Sequence, residues 1–109
     1  AGGDRDPLKR GPMGAACARG ADRLVITSDN PRSEDPQAIM DAIVAGVRAA
    51  KPEAVYRVEA DRAAAIHLAL AAAEKGDTVL VCGKGHETTQ EIKGVKIPFD
   101  DREVVRGFA

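Results

Sequence analysis

The strongest constraint on how this chain folds is an alternation of strand-like and helix-like segments. Residues 24–27, Leu-Val-Ile-Thr, form a short apolar run. A stripe then follows in which Ile39, Ile43 and Val47 recur every four residues, with Met40 and Val44 beside them. That spacing puts the apolar groups on one face of a helix, which must be buried against something. Asp35-Pro36 starts it well, a capping acid before a first-turn proline, and Lys51-Pro52 ends it. Gly46 within the stripe costs roughly 1 kcal/mol relative to alanine, so it marks close packing. Residues 55–59 alternate apolar and polar, as a strand nearer a sheet edge does. Asp61 caps a helix predicted to run to about Lys75, with Ile66, Leu70 and Ala73 inward and Gly76-Asp77 closing it. Residues 78–82, Thr-Val-Leu-Val-Cys, have the continuous apolar character of a buried parallel strand.

Towards the ends the pattern is less regular. Residues 1–11 read as a Gly-rich, charged loop, followed by a short helix over 12–19 with Gly20 just past its end. Residues 90–93 and 95–99 flank Gly94 as a small hairpin, and Asp100-Asp101 open a last helix through Val105. The expectation is one α/β domain over residues 1–109: a mostly parallel sheet flanked by helices, with a small C-terminal hairpin.

Charge narrows the partners. Sixteen Lys and Arg against seventeen Asp and Glu, interspersed, give a formal net charge of -1 and no basic block for a nucleic acid or an acidic membrane surface. No apolar segment reaches the length of a membrane span, and no signal-peptide pattern is present, so a cytoplasmic protein is expected. Cys17 and Cys82 have no CxxC or Cys/His spacing, and no metal ligands are expected. Cys82 is expected as a buried free thiol. Ala1-Gly2-Gly3-Asp4 reads as the turn after a strand, so the chain is expected to be a piece of a longer protein.

Three polar clusters follow or flank strand-like ends. In Gly2-Gly3-Asp4-Arg5-Asp6-Pro7-Leu8-Lys9-Arg10, glycines permit close backbone approach, and Arg5, Lys9 and Arg10 offer charge to a phosphate or carboxylate. A solvated loop with local ion pairs explains it equally well. In Asp29-Asn30-Pro31-Arg32, Pro31 rigidifies the turn, Asp29 can attract an ammonium and Arg32 can fork onto a carboxylate. An Asx turn leading to a helix cap explains the same residues. Gly83-Lys84-Gly85-His86-Glu87 resembles a phosphate loop, but the Walker A spacing is absent, and a Gly-rich turn with a local His86–Glu87 pair is the plain alternative. His67, in an alanine-rich helix, reads as structural or solvent-facing.

Taken together and in order, GGDRD, DNPR and GKGHE resemble the C-terminal domain of the Mur ligases, most of all the MurE type, which adds 2,6-diaminopimelate to UDP-N-acetylmuramoyl-L-alanyl-D-glutamate. Lys9-Arg10, Met13-Gly14, Glu34-Asp35-Pro36 and Phe99-Asp100-Asp101-Arg102 extend the resemblance over essentially the whole chain. Two departures stand out: an extra Gly11 before Pro12, and Thr89 where the family often has an aromatic residue.

The resemblance implies a Rossmann-like domain that binds the incoming amino acid and closes over ATP. The N-terminal UDP-substrate domain and the central ATPase domain, with its P-loop and Mg2+ ligands, would lie outside this chain. In the family, ATP phosphorylates the D-glutamate carboxylate and the amino acid's amine attacks the acyl phosphate. Carried over position by position, Arg5 contacts a carboxylate of meso-diaminopimelate. Asn30 and Arg32 bind its distal end, with Asp29 near that ammonium, while Gly83 offers backbone polar groups and Glu87 accepts from an ammonium. Asp4 meets the ATP ribose and Lys9 approaches the phosphates. No catalytic residue is expected within the chain, and alone it is expected to be inactive. Arg32 would compensate the extra carboxylate that distinguishes diaminopimelate from lysine. The other readings are a lysine-adding, folylpolyglutamate or cyanophycin-type ligase of the same superfamily, and a non-catalytic binding module.

Overall fold

The computed structural model describes Gly3, residues 6–84 and residues 87–108. A 3-10 turn, Pro7–Lys9, leads into helix α1 (Arg10–Gly20). Strand β1 (Arg23–Ile26), helix α2 (Pro36–Ala50) and strand β2 (Val55–Val58) make a strand–helix–strand unit. Helix α3 (Arg62–Ala72), the antiparallel pair β3 (Thr89–Ile92) and β4 (Val95–Pro98), and helix α4 (Asp101–Arg106) complete the order.

β1 and β2 run parallel, with Arg23 opposite Val55 and Ile26 opposite Val58. A parallel pair needs a crossover, and α2 supplies it. Its apolar stripe does what the periodicity predicts: Ile39, Met40, Ile43 and Val47 join Ala18 of α1 and Ile26 of β1 in the core, with Leu24, Val44, Ala54 and Tyr56 packed around them. The predicted start also holds, since the Asp35 side chain accepts from the Gln37 N–H. α1 and α2 meet through glycine: a Cβ on Gly46 would collide with the Gly11 carbonyl, and one on Gly14 with the Ile43 carbonyl. Gly46 therefore lets two helix backbones touch, as its place in the stripe suggests.

The hairpin closes through Lys93 and Gly94, both at positive φ (51° and 78°), the two-residue turn whose twist suits paired strands. α3 is capped by Asp61, which accepts from the Ala64 N–H, and ends at Ala72, a turn sooner than predicted. α1 begins at Arg10, inside the stretch expected to be loop.

The main correction concerns residues 78–82. They form no strand; Leu80 is 81% exposed, and Cys82 is exposed rather than buried. An apolar run becomes a strand only when a neighbouring backbone takes up its N–H and C=O groups. Among the described residues β1 pairs with β2 alone, and no strand lies in register with this segment. The parallel sheet is thus narrower than expected, while the α/β class and the antiparallel hairpin stand. Among the described residues no helix is long and apolar enough to cross a membrane.

Candidate functional site

β1 ends at Ile26, and the chain then turns through Ser28, Asp29, Asn30 and Pro31, all buried although three of them are polar. Burial of such groups requires partners, and each has them. The Ser28 hydroxyl donates to the Ala60 carbonyl (2.7 Å) and accepts from Gln90 Nε2 (3.0 Å). Gln90 also donates to the Asp29 carbonyl (2.8 Å), so the hairpin strand β3 grips the turn. Arg32 continues that grip: its N–H donates to the Glu91 carbonyl (2.9 Å), and its carbonyl accepts from the Lys93 N–H.

Gly3 seals the opposite side. Its N–H donates to the Asn30 carbonyl (2.6 Å), and its own carbonyl accepts from Arg32 Nη1 (2.8 Å). A Cβ at Gly3 would overlap the Pro31 carbonyl, so only glycine can lie there. Arg32 itself sits at φ 52°, unusual for a non-glycine residue, and these bonds hold it in place.

Lys84, of Gly-Lys-Gly, faces inward rather than towards a phosphate. Its side chain is fully buried, and its ammonium lies 3.0 Å from Asp29 Oδ1. It also donates to Asn30 Oδ1 (3.1 Å) and to the Thr89 carbonyl (2.9 Å). Asp29 is thereby engaged by an internal ammonium, which bears directly on its expected place beside a ligand's ammonium. Gly83 has φ 113°, and a Cβ there would touch Asp29 Oδ2 and approach Arg62 Nη2. Those are ordinary contact distances, so glycine is needed here for its positive φ rather than for space.

A second buried cation secures the scaffold. Arg62, at the start of α3, pairs with Asp101 of α4 through Nε–Oδ1 (2.8 Å) and Nη2–Oδ2 (2.7 Å). Its remaining donors reach the Ser28 carbonyl and the Cys82 carbonyl, both at 3.0 Å. At the edge, Arg10 makes a two-pronged contact with Glu34, just beyond the turn.

What faces outward is small and specific. Asn30 Nδ2 lies 3.4 Å from Glu87 Oε2, and Glu87 is exposed. The Arg32 guanidinium is partly exposed, with its Nε 4.0 Å from Glu91 Oε1. The Asn30 donor beside the Glu87 acceptor, with the Arg32 guanidinium on the same turn, can engage a group carrying a carboxylate and an ammonium together. The structure brings Asp29, Asn30, Arg32, Gly83 and Glu87 into one neighbourhood. Asp4, Arg5 and His86 lie outside the described residues. Lys9 is an exposed lysine on the 3-10 turn. His67 is exposed and tilts against the Phe108 ring, 5.7 Å between centroids. A concavity of about 520 Å³ near Thr89, Phe99 and Asp100 opens between the hairpin and α4, and neither Asn30 nor Arg32 lines it. Among the described residues, no cluster of His, Cys, Asp and Glu is arranged to hold a metal ion.

Fold and site together define an α/β domain with a polar clamp beyond the carboxyl end of a parallel strand, the usual place for ligands in open α/β sheets. A family model, "Mur ligase, glutamate ligase domain", matches residues 1–85. The chain is 60% identical over 107 residues to a UDP-N-acetylmuramoyl-L-alanyl-D-glutamate--2,6-diaminopimelate ligase of Streptomyces coelicolor, covering 96% of this chain and 21% of the relative. It is also 60% identical over 103 residues to the ligase of the same name from Chromobacterium violaceum, covering 94% of this chain and 20% of that one. A solved structure of a ligase with this name superposes with a TM-score of 0.84 at 42% identity, over 97% of this chain and 21% of the other. The chain belongs to the Mur ligase family. It spans about a fifth of the length of the curated relatives it matches.

Proposed function

We propose that the chain is the amino-acid-binding domain of an ATP-dependent ligase that adds meso-2,6-diaminopimelate to UDP-N-acetylmuramoyl-L-alanyl-D-glutamate in peptidoglycan precursor synthesis. The observation that carries this reading is the outward clamp: the Asn30 amide on the Glu87 carboxylate, with the partly exposed Arg32 guanidinium on the same turn. The names of the relatives supply the substrate class.

Asn30 and Arg32 donate to the distal carboxylate, and Glu87 accepts from an ammonium. Gly83 offers backbone polar groups to the amino acid, and Asp29 holds the turn through Lys84. Arg5 completes the carboxylate contacts. Arg32 sets the preference over lysine, because lysine brings no second carboxylate to the guanidinium, whose protein contacts are the Gly3 carbonyl and a long 4.0 Å approach to Glu91.

ATP and Mg2+ belong to this reading as cofactors bound by other domains. Asp4 and Lys9 are the residues of this chain proposed to approach the nucleotide. One exposed lysine is not by itself a phosphate site, and the phosphates would be held by the central domain. The acceptor peptide is likewise proposed to bind elsewhere in the ligase. A cytoplasmic setting follows from those substrates.

The test is calorimetric titration of the full ligase with meso-diaminopimelate, LL-diaminopimelate and lysine, nucleotide and acceptor present. The meso compound should bind tightest, and lysine about 10- to 100-fold weaker, the worth of a charged hydrogen bond. Equal affinity for lysine would remove the role given to Arg32. Tighter binding of the LL isomer would overturn the assigned stereochemistry.

A further inference from the structure

Lys84 is the one buried ammonium among the described residues, and all of its donors are used. An ammonium has three N–H groups. Asp29 Oδ1, Asn30 Oδ1 and the Thr89 carbonyl accept them at 3.0, 3.1 and 2.9 Å. Its side chain is fully buried, so it offers nothing to a ligand directly.

Its effect on Asn30 is another matter. A carboxamide has a donor end and an acceptor end of nearly the same shape, and its surroundings decide which faces where. Asn30 Oδ1 accepts from Lys84 Nζ and also from the Glu91 N–H at 2.9 Å. Both inner neighbours are donors. If the amide were reversed, its NH2 would face an ammonium and a backbone N–H, stranding all three inside a buried pocket. The NH2 is therefore forced outward, towards Glu87.

We propose that Lys84 is a positioning residue of the amino-acid site, whose buried ammonium fixes the Asn30 carboxamide with its NH2 end towards the ligand, so that Asn30 selects a carboxylate. This rests on the ligand reading given above. The inward role also explains why a Gly-Lys-Gly stretch here is not a phosphate loop. The glycine before Lys84 takes up a positive φ of 113° that a side-chain-bearing residue rarely adopts, and the lysine then reaches the turn from within.

The test has two arms. In the 15N-labelled chain, the Asn30 side-chain NH2 resonances are compared between wild type and Lys84→Met. They should move or broaden once the amide is free to rotate; unchanged resonances in a folded variant would overturn the proposal. This arm needs no ligand, so it stands apart from the substrate reading.

In the full ligase, Lys84→Met should raise KM for meso-diaminopimelate by about 10- to 100-fold, with KM for ATP and for the acceptor peptide unchanged. A uniform fall in kcat with all KM values moving together would mean a merely structural lysine and would also overturn it. Asn30→Asp guards against misfolding of the first variant. One carboxylate oxygen can still accept from Lys84 and Glu91, while the other turns the outward donor into an acceptor. It should reproduce the selective KM increase, and wild-type KM in this variant would refute the role of the outward NH2. If the resonance change appears but no variant alters diaminopimelate binding, the orientation stands and the substrate reading fails.

Discussion

Replacing Asp101 by Asn should destabilise the domain more than any other single-charge change made outside the clamp. The carboxylate is buried, with its side chain 9% exposed, and its partner Arg62 is 3% exposed. Asn can still accept from one Arg62 N–H, but its NH2 then meets the other, and the guanidinium is left charged in a buried site. Removing one partner of such a pair costs about 3–5 kcal/mol. Because Arg62 keeps its bonds to the Ser28 and Cys82 carbonyls, the lower end of that range is expected. A chain of 109 residues has a total stability of about 5–16 kcal/mol, so roughly a fifth or more is lost. With a urea dependence of about 1.5 kcal/mol per molar, the midpoint falls by about 2 M. Far-UV circular dichroism against urea measures this directly. Arg102→Ala is the comparison, since the Asp100–Arg102 pair lies at the surface and should leave the midpoint nearly unchanged. A midpoint for Asp101→Asn within about 0.3 M of wild type would refute the claim that this pair holds the scaffold.

Three other outcomes are expected. Arg32→Ala in the full ligase should raise KM for diaminopimelate about 10- to 100-fold with KM for ATP unchanged, and unaltered kinetics would remove Arg32 from the site. Gly46→Ala should lower stability by about 1–3 kcal/mol in a thermal melt, because the new methyl drives α2 off the Gly11 carbonyl and outweighs the gain in helix propensity; a stabilised variant would contradict the close crossing. The side-chain hydrogen bond from Arg102 holds the Asp100 carboxyl below the usual carboxylate range. Its contribution to stability is therefore present above the unfolded-state value and lost as pH falls through the lower folded value. A pH titration of Asp100 by NMR should show this midpoint rising towards the ordinary range in Arg102→Ala.

How much of the molecule could be read in advance depends on the range of the interactions involved. α2 was legible because its signals are local: an acid and a proline at one end, apolar side chains four residues apart, and a glycine where another helix must pass. The Asp61 and Asp100 caps and the turn at Gly94 were legible for the same reason. Residues 78–82 misled because apolar character states only that a strand could be buried. A ladder also needs a neighbour, and that information lies outside the segment. The clamp was legible in part: Asn30, Arg32 and Glu87 stand out through the motifs that contain them. Arg62 and Gln90 did not, and Asp101 stood out only as a helix opener within a family motif and not as the partner of Arg62, since their bonds to the turn and to one another span 34 to 62 positions and leave no periodic trace. Lys84 was visible, but its Gly-Lys-Gly setting pointed outward while burial turned it inward.

These long-range residues share a physical logic. The clamp is assembled from the turn after β1, the segments carrying Gly83, Lys84 and Glu87, and strand β3, and among the described residues no ladder joins the first two. Side chains do that work instead. Arg62 holds the Ser28 and Cys82 carbonyls together, Lys84 joins Asp29 and Asn30 to Thr89, and Gln90 joins Ser28 and Asp29 to the hairpin. These bonds are directional, and those of Arg62 to Ser28, Lys84 to Asp29 and Asn30, and Gln90 to Ser28 and Asp29 are buried, so removing one member there strands the others. A site held this way is rigid in the positions of its atoms without requiring a broad sheet beneath it. It also couples the outward donor on Asn30 to a fully buried lysine, so under the proposed ligand reading a change at Lys84 should be read at the amino acid and not at the nucleotide.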